Sequence, residues 1–308
     1  MSEHPASFVA VIVLNWNGWR DTLECLASLE KLDYPNYQVV VVDNGSTDGS
    51  EERIRDSYSN VSMLQTGANL GFAGGNNAGI EYALQHDAGY VWLLNNDTIV
   101  DPEALTELIA VAESDEKVGL VGSSLYYFHD PKSLQAYGGG TVNWWMGTNK
   151  LLKEPARVSL DFVCGASVLI KRSVVESVGL LDTLYFFYWE DVAYSRRAVE
   201  AGWKLAVAAR SRILHKEGGT VSGGSLTKSL ASDKYMITSR IRFFGEHGGL
   251  RWPVAMLVAI AGMTVNRLRR RQADRILPLL VIAARTCRSV IASKVHNSLQ
   301  RTPGRSLK

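Results

Sequence analysis

Four places in this chain carry side chains able to hold a cation or move a proton, and each follows an apolar run. Asp43 closes four successive valines at 39–42, and Asn95-Asn96-Asp97 follows Tyr-Val-Trp-Leu-Leu at 90–94. Glu190-Asp191 follows the aromatic-rich stretch 185–189, and His215 follows Ile213-Leu214. A carboxylate fixed at the end of a rigid strand can accept hydrogen bonds from a nucleobase or a ribose. An aspartate with flanking amides offers oxygen ligands to Mg2+ or Mn2+, which take one or two carboxylates and complete their shells with phosphate oxygens. A carboxylate in a half-apolar setting is a candidate general base, and imidazole is a frequent metal ligand.

Each also has a plain structural reading. Aspartate is a common turn former at strand ends, and carboxylates at a helix start are favoured by the helix dipole alone. Asn95-Asn96-Asp97 can equally be a turn that caps the next helix. A lone histidine is more often structural than catalytic. Adjacent helical residues do not share a face, so at most one of Glu190 and Asp191 points at a reacting centre. The stretch 69–79, NLGFAGGNNAG, has glycines at 71, 74, 75 and 79. It reads either as a tight loop or as a loop whose N–H groups meet an anion. It lacks the G-x-x-x-x-G-K-[ST] spacing of a nucleotide-triphosphate cradle.

The elements that must position these groups read as α/β. Apolar runs without alternation at 8–14, 39–42, 61–65, 90–94 and 118–122 predict strands buried on both faces. Helical spacing is expected at 21–32, 47–57, 76–85 and 101–113, with a loop at 66–75. This alternation predicts a mostly parallel, doubly wound sheet, whose carboxyl edge is where ligands bind. Further on, 130–154 reads as an irregular flap over a site. One strand is expected at 162–171, a helix at 190–201 and a last short strand at 203–208, with His215 beyond it.

The composition is that of an ordinary globular chain of 308 residues, 46% apolar, with eight prolines. Cys25, Cys164 and Cys287 are far apart and give no metal spacing, which suits a reducing compartment. The first residues, MSEHPASF, have neither a basic nor an apolar leader region, so no secretory signal is expected. The net charge of +2 hides an asymmetry: from Arg240 onward there are 14 Lys and Arg but only Glu246 and Asp274 as acids. Within that tail, 252–265 is an uncharged stretch of 14 residues, short of the roughly 20 needed to span a bilayer. Arg267, Arg269, Arg270 and Arg271 follow, then a second apolar run at 276–284. Apolar stretches flanked by arginines suit helices lying on an anionic membrane surface. A helical hairpin packed on the domain, or a homodimer interface, are the other readings. The arginines lack the interleaved motifs of a nucleic-acid binder, and no nucleic-acid partner is expected.

Seven segments in order resemble the family 2 glycosyltransferases: VIVLNWNG (11–18), VVVVDNGSTDGS (39–50), NLGFAGGNNAGI (69–80), LLNNDT (93–98), GASVLIKRSVVESVGLLD (165–182), FYWEDVAYSRRAVEAGW (187–203) and His215. The likeness covers about residues 8–220 and is nearest to bacterial rhamnosyltransferase-type members. It implies a GT-A fold in a domain over 1–235, with a nucleotide-sugar half at about 1–125 and an acceptor half at 126–235. A basic amphipathic helical tail over 236–308 completes the chain.

By position, the resemblance implies that Asn15, Trp16, Asn17 and Asp43 hold the base, and that Asn69 and Asn77 shape the nucleotide pocket with Asn95 and Asn96. Asp97 and His215 would bind Mn2+ or Mg2+, Asp191 with Glu190 would supply the base, and Gly165, Ala166 and Trp189 would face the acceptor. Two positions depart from the family pattern: Asn95 stands where an acid is usual, and Ala193 removes the last acid of an EDxD run. The implied activity is inverting transfer of rhamnose or a related hexose from a dTDP- or UDP-sugar. The acceptor would be a glycan or a polyprenyl-diphosphate-linked sugar in cell-surface polysaccharide assembly. The expected location is cytoplasmic, peripheral at the inner face of the plasma membrane. Two rivals are a sugar-1-phosphate nucleotidyltransferase, which would need a glycine- and arginine-rich loop after the first strand, and a non-catalytic nucleotide-sugar-binding protein.

Overall fold

The computed structural model describes residues 6–155, 159–216 and 230–300. The glycine-rich stretch 217–219 beside His215 and the first five residues lie outside them. The chain forms two compact units, Met1–Thr141 with Asn149–Lys228, and Val142–Thr148 with Ser229–Lys308.

The first unit is built on three parallel strands whose runs of Val, Ile and Leu have no polar face. These are β1 (Val9–Asn15), β2 (Tyr37–Asp43) and β4 (Tyr90–Asn95), with β3 (Ser62–Gln65) outside β2. Helices α1 (Trp19–Leu29), α2 (Ser50–Ser57) and α3 (Gly71–Gln85) make the crossovers. β1 lies between β2 and β4, in parallel register with both. The sheet continues through β11 (Ser167–Lys171), β6 (Val118–Tyr127), β12 (Lys204–His215) and the short β5 (Thr98–Val100), in the order β3-β2-β1-β4-β11-β6-β12-β5. β7 (Asp130–Tyr137) pairs with β6. β11 runs antiparallel to both its neighbours, and β5 antiparallel to β12. Helix α4 (Ala104–Glu113) follows β5; α5 (Arg172–Val178) and α6 (Glu190–Glu200) come later in the chain. A smaller sheet has the order β10-β8-β9, from Phe162–Val163, Gly139–Asn143 and Thr148–Leu151.

A polar thread holds the central strands together inside the core. Trp92, fully buried, donates its indole N–H to Ser167 Oγ at 2.9 Å. Ser167, Ser123 and Ser211 then pass hydroxyl bonds of 2.8 and 2.9 Å from β11 to β6 and β12. Every member has a partner, so this buried polar group set stiffens the sheet at little desolvation cost.

Five expectations need correction. Gly71, Gly74 and Gly75, expected in the loop at 66–75, belong to α3, and Gly75 and Gly79 lack the side chains that would hold this helix off the sheet. A Cβ on Gly79 would stand 2.4 Å from Ile12 Cγ2, and one on Gly75 2.4 Å from Leu14 Cδ1. The stretch 130–154 is not an irregular flap but β7, β8 and β9, short half-exposed strands whose periodicity is too brief to read. The expected strand at 162–171 is two strands in different sheets. β12 runs on through a register shift at 208–212 and carries His215 as its last residue. In the tail, the apolar stretch is part of a longer helix, described next.

The second unit contains α7 (Leu230–His247), α8 (Trp252–Arg269) and α9 (Ile276–Gln300), joined by short 3-10 turns. α7 meets α9 where Gly245 faces Val290; a Cβ there would stand 2.3 Å from Val290 Cγ1. Trp144, on the 142–148 turn, stacks on Phe243 with ring centres 5.6 Å apart. By length and composition alone, 249–269 and 273–294 are each apolar enough to cross a membrane.

Candidate active site

The carboxyl ends of β1, β2 and β4 set Asn15, Asp43 and Asn95 at one level. Asn15 registers with Asp43, and Leu14 with Asn95. Two strand spacings separate Asp43 from Asn95, roughly 10 Å. On the β2 side every polar group is engaged. Asn15 Nδ2 donates to Asp43 Oδ2 at 2.8 Å, while Ser46 N–H and Gln65 Nε2 donate to Asp43 Oδ1 at 2.8 and 3.1 Å. Thr22 donates to Asn15 Oδ1, and Asn96 Nδ2 donates in turn to Thr22 Oγ1. Asn15 and Asp43 are fully buried and Asn96 nearly so. They therefore brace the 44–48 loop, and Trp16 and Asn17 are the members of this group with surface to offer.

Asn44 extends this lattice to the start of α3. Its Nδ2 donates to Asn69 Oδ1 and to the Gly71 carbonyl, and its Oδ1 accepts from Leu70 N–H. Asn77 does not join them. Its amide forms a two-way clamp on Leu181, donating to the carbonyl at 2.8 Å and accepting from the N–H at 3.0 Å. Phe72 N–H donates to the Phe186 carbonyl at 2.8 Å, which brings the 185–189 aromatics to this end of α3. A Cβ on Gly71 would stand 2.3 Å from that carbonyl oxygen, so only glycine fits there.

Asp191 lies at the start of α6, reached through two consecutive left-handed residues, Tyr188 and Trp189, each at φ 68°. Such a conformation costs bulky residues roughly 1–3 kcal/mol each and persists only where the surroundings enforce it. Trp189 is buried, so its ring anchors the turn and leaves little surface to an acceptor. Gly165 N–H donates to Asp191 Oδ2 at 3.0 Å, and Val192 N–H to Oδ1 at 2.8 Å. The next carbonyl, that of Ala166, accepts from Asn95 N–H at 3.0 Å. A single residue step thus links the carboxylate of Asp191 to the turn that carries Asp97.

The electrostatics separate the two neighbouring acids. Burial raises the Glu190 carboxyl well above the usual range, the Asp191 charge adds to this, and its Oε2 has no hydrogen-bond partner. Burial also raises Asp191, but the N–H groups of Gly165 and Val192 pull it back. Glu190 is therefore the acid of the pair more disposed to hold a proton, and Asp191 the one more disposed to carry charge. Asp191 is the one equipped to act as a base.

On the other side of Asn95, His215 pairs with Thr98 across β12 and β5, which brings it beside Asp97. Asp97 Oδ1 and His215 Nε2 are 3.2 Å apart. His215 Nδ1 lies 2.8 Å from Gln135 Oε1, and Asn95 Nδ2 lies 3.3 Å from Nε2. Asp97 favours a proton on Nε2 until a cation takes its place, whereas Gln135 Oε1 beside Nδ1 and Asn95 Nδ2 beside Nε2 favour the tautomer protonated at Nδ1. Nε2 and Asp97 Oδ1 are then two acceptors turned toward each other, an arrangement suited to a shared cation. An oxygen and an imidazole nitrogen fit a divalent ion that takes its remaining ligands from a diphosphate and water.

Gln135 is a site residue that the sequence reading missed, because it lay in the supposed flap. Thr22, Ser46 and Gln65 were missed as well; their hydroxyls and amides carry no motif. Lys216 is another. Its ammonium sits 2.6 Å from Asp21 and 2.8 Å from Glu24, pinning the end of β12 to α1.

Two solved structures that share this fold carry nucleotide or nucleotide-sugar ligands. Mannosyltransferase PcManGT from Pyrobaculum calidifontis, in complex with GDP-Man and Mn2+, aligns with a TM-score of 0.56 at 17% identity, over 96% of this chain and 84% of that one. GalNAc-T7 with UDP, GalNAc and Mn2+ aligns with a TM-score of 0.61 at 17% identity, over 79% of this chain and 48% of that one. The fold is accordingly of the GT-A type, with added C-terminal helices. The family model for glycosyl transferase family 2 matches residues 10–179, more than half of the chain, and the protein belongs to that family. The N-acetylglucosaminyl-diphospho-decaprenol L-rhamnosyltransferase of Mycobacterium tuberculosis is 25% identical over 279 residues, 81% of this chain and 90% of the relative. The protein is thus a glycosyltransferase similar to rhamnosyltransferases of polysaccharide assembly.

Proposed function

We propose that the protein transfers a sugar, rhamnose or a related hexose, from a dTDP- or UDP-sugar to a hydroxyl of a polyprenyl-diphosphate-linked or glycan acceptor, with inversion at the anomeric carbon. The observation that supports this reading is the short link from the Asp191 carboxylate through Gly165 and Ala166 to Asn95, two residues before Asp97.

The acceptor hydroxyl gives its proton to Asp191. Its oxygen forms the new bond to the anomeric carbon as the bond to the nucleoside diphosphate breaks. One displacement inverts that centre and needs no protein nucleophile. Gly165 and Val192 hold the base in place, and the raised Glu190 carboxyl disfavours a second charge beside it. Asp97 and His215 would hold Mn2+ or Mg2+, which when bound supplies positive charge to a departing diphosphate. Trp16 and Asn17 offer the surface for the nucleotide base, above the frame made by Asn15 and Asp43.

The exposed apolar side chains of the tail helices support a membrane-facing location. Leu250, Leu257 and Leu277 are largely exposed, as expected of side chains that enter a lipid surface. Arg285 and Arg288 are exposed in the middle of α9. Each would cost about 2.5–3.5 kcal/mol at a bilayer centre, so a helix lying in the interface is favoured over a spanning one. A transfer assay with UDP- and dTDP-sugars and a synthetic polyprenyl-diphosphate-linked N-acetylglucosamine, with the product anomer read by NMR, tests the reading. An unchanged anomeric configuration, or transfer to none of these acceptors, would overturn it.

A further inference from the structure

The groups assigned above to base, metal and nucleotide include no lysine or arginine. A divalent cation beside the Asp97 carboxylate keeps only part of its charge, and a departing diphosphate carries more negative charge than that remainder balances. Two cations near the end of β12 are committed elsewhere. Lys216 pairs with Asp21 and Glu24, and Arg212 donates to the Pro131 carbonyl while its guanidinium lies over the Tyr126 ring.

Lys153, just after β9, is not committed in this way. It is exposed, and among the described residues no carboxylate pairs with it. Its Nζ donates to Tyr127 Oη at 3.3 Å and lies 5.5 Å from the centre of the same ring. Because the Tyr127 oxygen accepts from the ammonium, the hydroxyl turns its own proton outward, and the ammonium keeps further N–H groups to offer. The two side chains together present hydrogen-bond donors and a positive charge, which suits a phosphate.

Their place in the sheet matches that chemistry. Tyr127 ends β6 in register with His215 at the end of β12, along a regular stretch that begins at Arg212. In-register residues of neighbouring strands leave the sheet on the same face, so the Tyr127 side chain stands beside the imidazole that faces Asp97. β6 is antiparallel to β11, which is antiparallel to β4, so the carboxyl end of β6 lies on the edge that carries Asn95.

We propose that Tyr127 and Lys153 bind a phosphate of a diphosphate seated at the His215–Asp97 pair, an inference that rests on the transferase reading for why a diphosphate comes there. Two sources share this chemistry, the nucleoside diphosphate of the donor and the lipid diphosphate of the acceptor.

Calorimetry on the full-length chain with Mn2+ would use UDP and dTDP as donor-side probes, and farnesyl diphosphate below its micelle concentration as the acceptor-side probe. Lys153→Gln changes an exposed side chain and Tyr127→Phe keeps the ring, so both variants retain the melting temperature of the unmodified protein. Lys153→Gln weakens binding of at least one probe by at least about tenfold, and Tyr127→Phe weakens the same probe by at least about threefold. Mn2+ affinity measured without any diphosphate is unchanged in both, because neither side chain is a metal ligand. Loss confined to UDP and dTDP assigns the donor's diphosphate, and loss confined to farnesyl diphosphate assigns the acceptor's. Loss for all three assigns a shared phosphate position, and each of these results supports the proposal. Unchanged affinity for every probe, no binding of any probe by the unmodified protein, or a fall in Mn2+ affinity as large as the fall in diphosphate affinity overturns it. These losses in a chain that transfers no sugar would leave the site standing and remove the transferase reading. Sugar transfer with diphosphate binding untouched by either variant would do the reverse.

Discussion

His215 Nε2 and Asp97 Oδ1 face each other at 3.2 Å, and the group that makes them two acceptors is Gln135, 2.8 Å from the other ring nitrogen. Such an outer partner fixes the tautomer and ring orientation, and its loss typically weakens a metal site about 10–100-fold. Gln135→Leu should therefore lower Mn2+ affinity by that factor, measured by electron paramagnetic resonance titration without any sugar present. Gln135→Glu keeps an acceptor at Nδ1 and should restore most of the affinity. Unchanged Mn2+ binding in Gln135→Leu would remove His215 from the metal site.

Asp191 should be separable from donor binding. Asp191→Asn should reduce kcat by about 10²–10⁴-fold while the affinity for nucleotide sugar stays the same. Both Asp191 oxygens accept backbone N–H bonds, so the amide also leaves one N–H unmatched and lowers the melting temperature modestly. Because burial raises the Asp191 carboxyl, the base loses its charge at a higher pH than a free aspartate would. The acid limb of kcat should accordingly lie above the ordinary range near pH 4. Equal loss of catalysis and donor affinity would make Asp191 a structural residue.

Glu190 should affect stability more than chemistry. Its folded form holds the proton more tightly than its unfolded form, because burial raises the carboxyl well above 4.5. Stability from this group is therefore complete below about pH 4, the unfolded range, and is lost as pH rises through the folded value. Glu190→Gln removes that dependence. Its melting temperature relative to the unmodified protein should climb between acid and neutral pH. A constant difference across the range would show that Glu190 is not protonated in the fold.

Gly79 and Gly262 are both helical glycines with opposite expectations. A Cβ on Gly79 would stand 2.4 Å from Cγ2 of Ile12, a fully buried β-branched side chain with little freedom to turn away. Gly79→Ala should cost about 1–3 kcal/mol through overpacking. Gly262→Ala, facing open space, should gain up to about 1 kcal/mol from helix propensity. Denaturant melts of the two variants check this, and a matching pair of values would contradict the close approach of α3 to β1.

The same glycines show where sequence reading stops. A glycine needed for a ligand's close approach and one needed for a neighbouring strand's look identical in sequence, so the start of α3, 71–75, read as a loop. The valine runs of β1 and β2 were legible because burial on both faces leaves no polar residue to break them. β7 to β9 were not, since short strands with half-exposed faces depend on partners the sequence does not name. Asp43, Asp97, Asp191 and His215 carried recognisable contexts. The choice of Asp191 over Glu190 needed the backbone N–H groups of Gly165 and Val192, which only the fold supplies.

Arg285 and Arg288 decide how the tail meets lipid. Both are exposed on α9, so reversing their charge leaves packing intact. Near an anionic surface each basic residue contributes about 1 kcal/mol, and this attraction decays within a Debye length. Arg285→Glu with Arg288→Glu should therefore reduce flotation with anionic vesicles by more than about tenfold. Flotation of the unmodified chain should fall as salt is raised. A helix crossing the bilayer would instead resist salt extraction, and replacing two mid-helix arginines by another charged pair would change its retention little. Salt-insensitive flotation, or equal flotation of the double variant, would therefore rule out the interfacial arrangement.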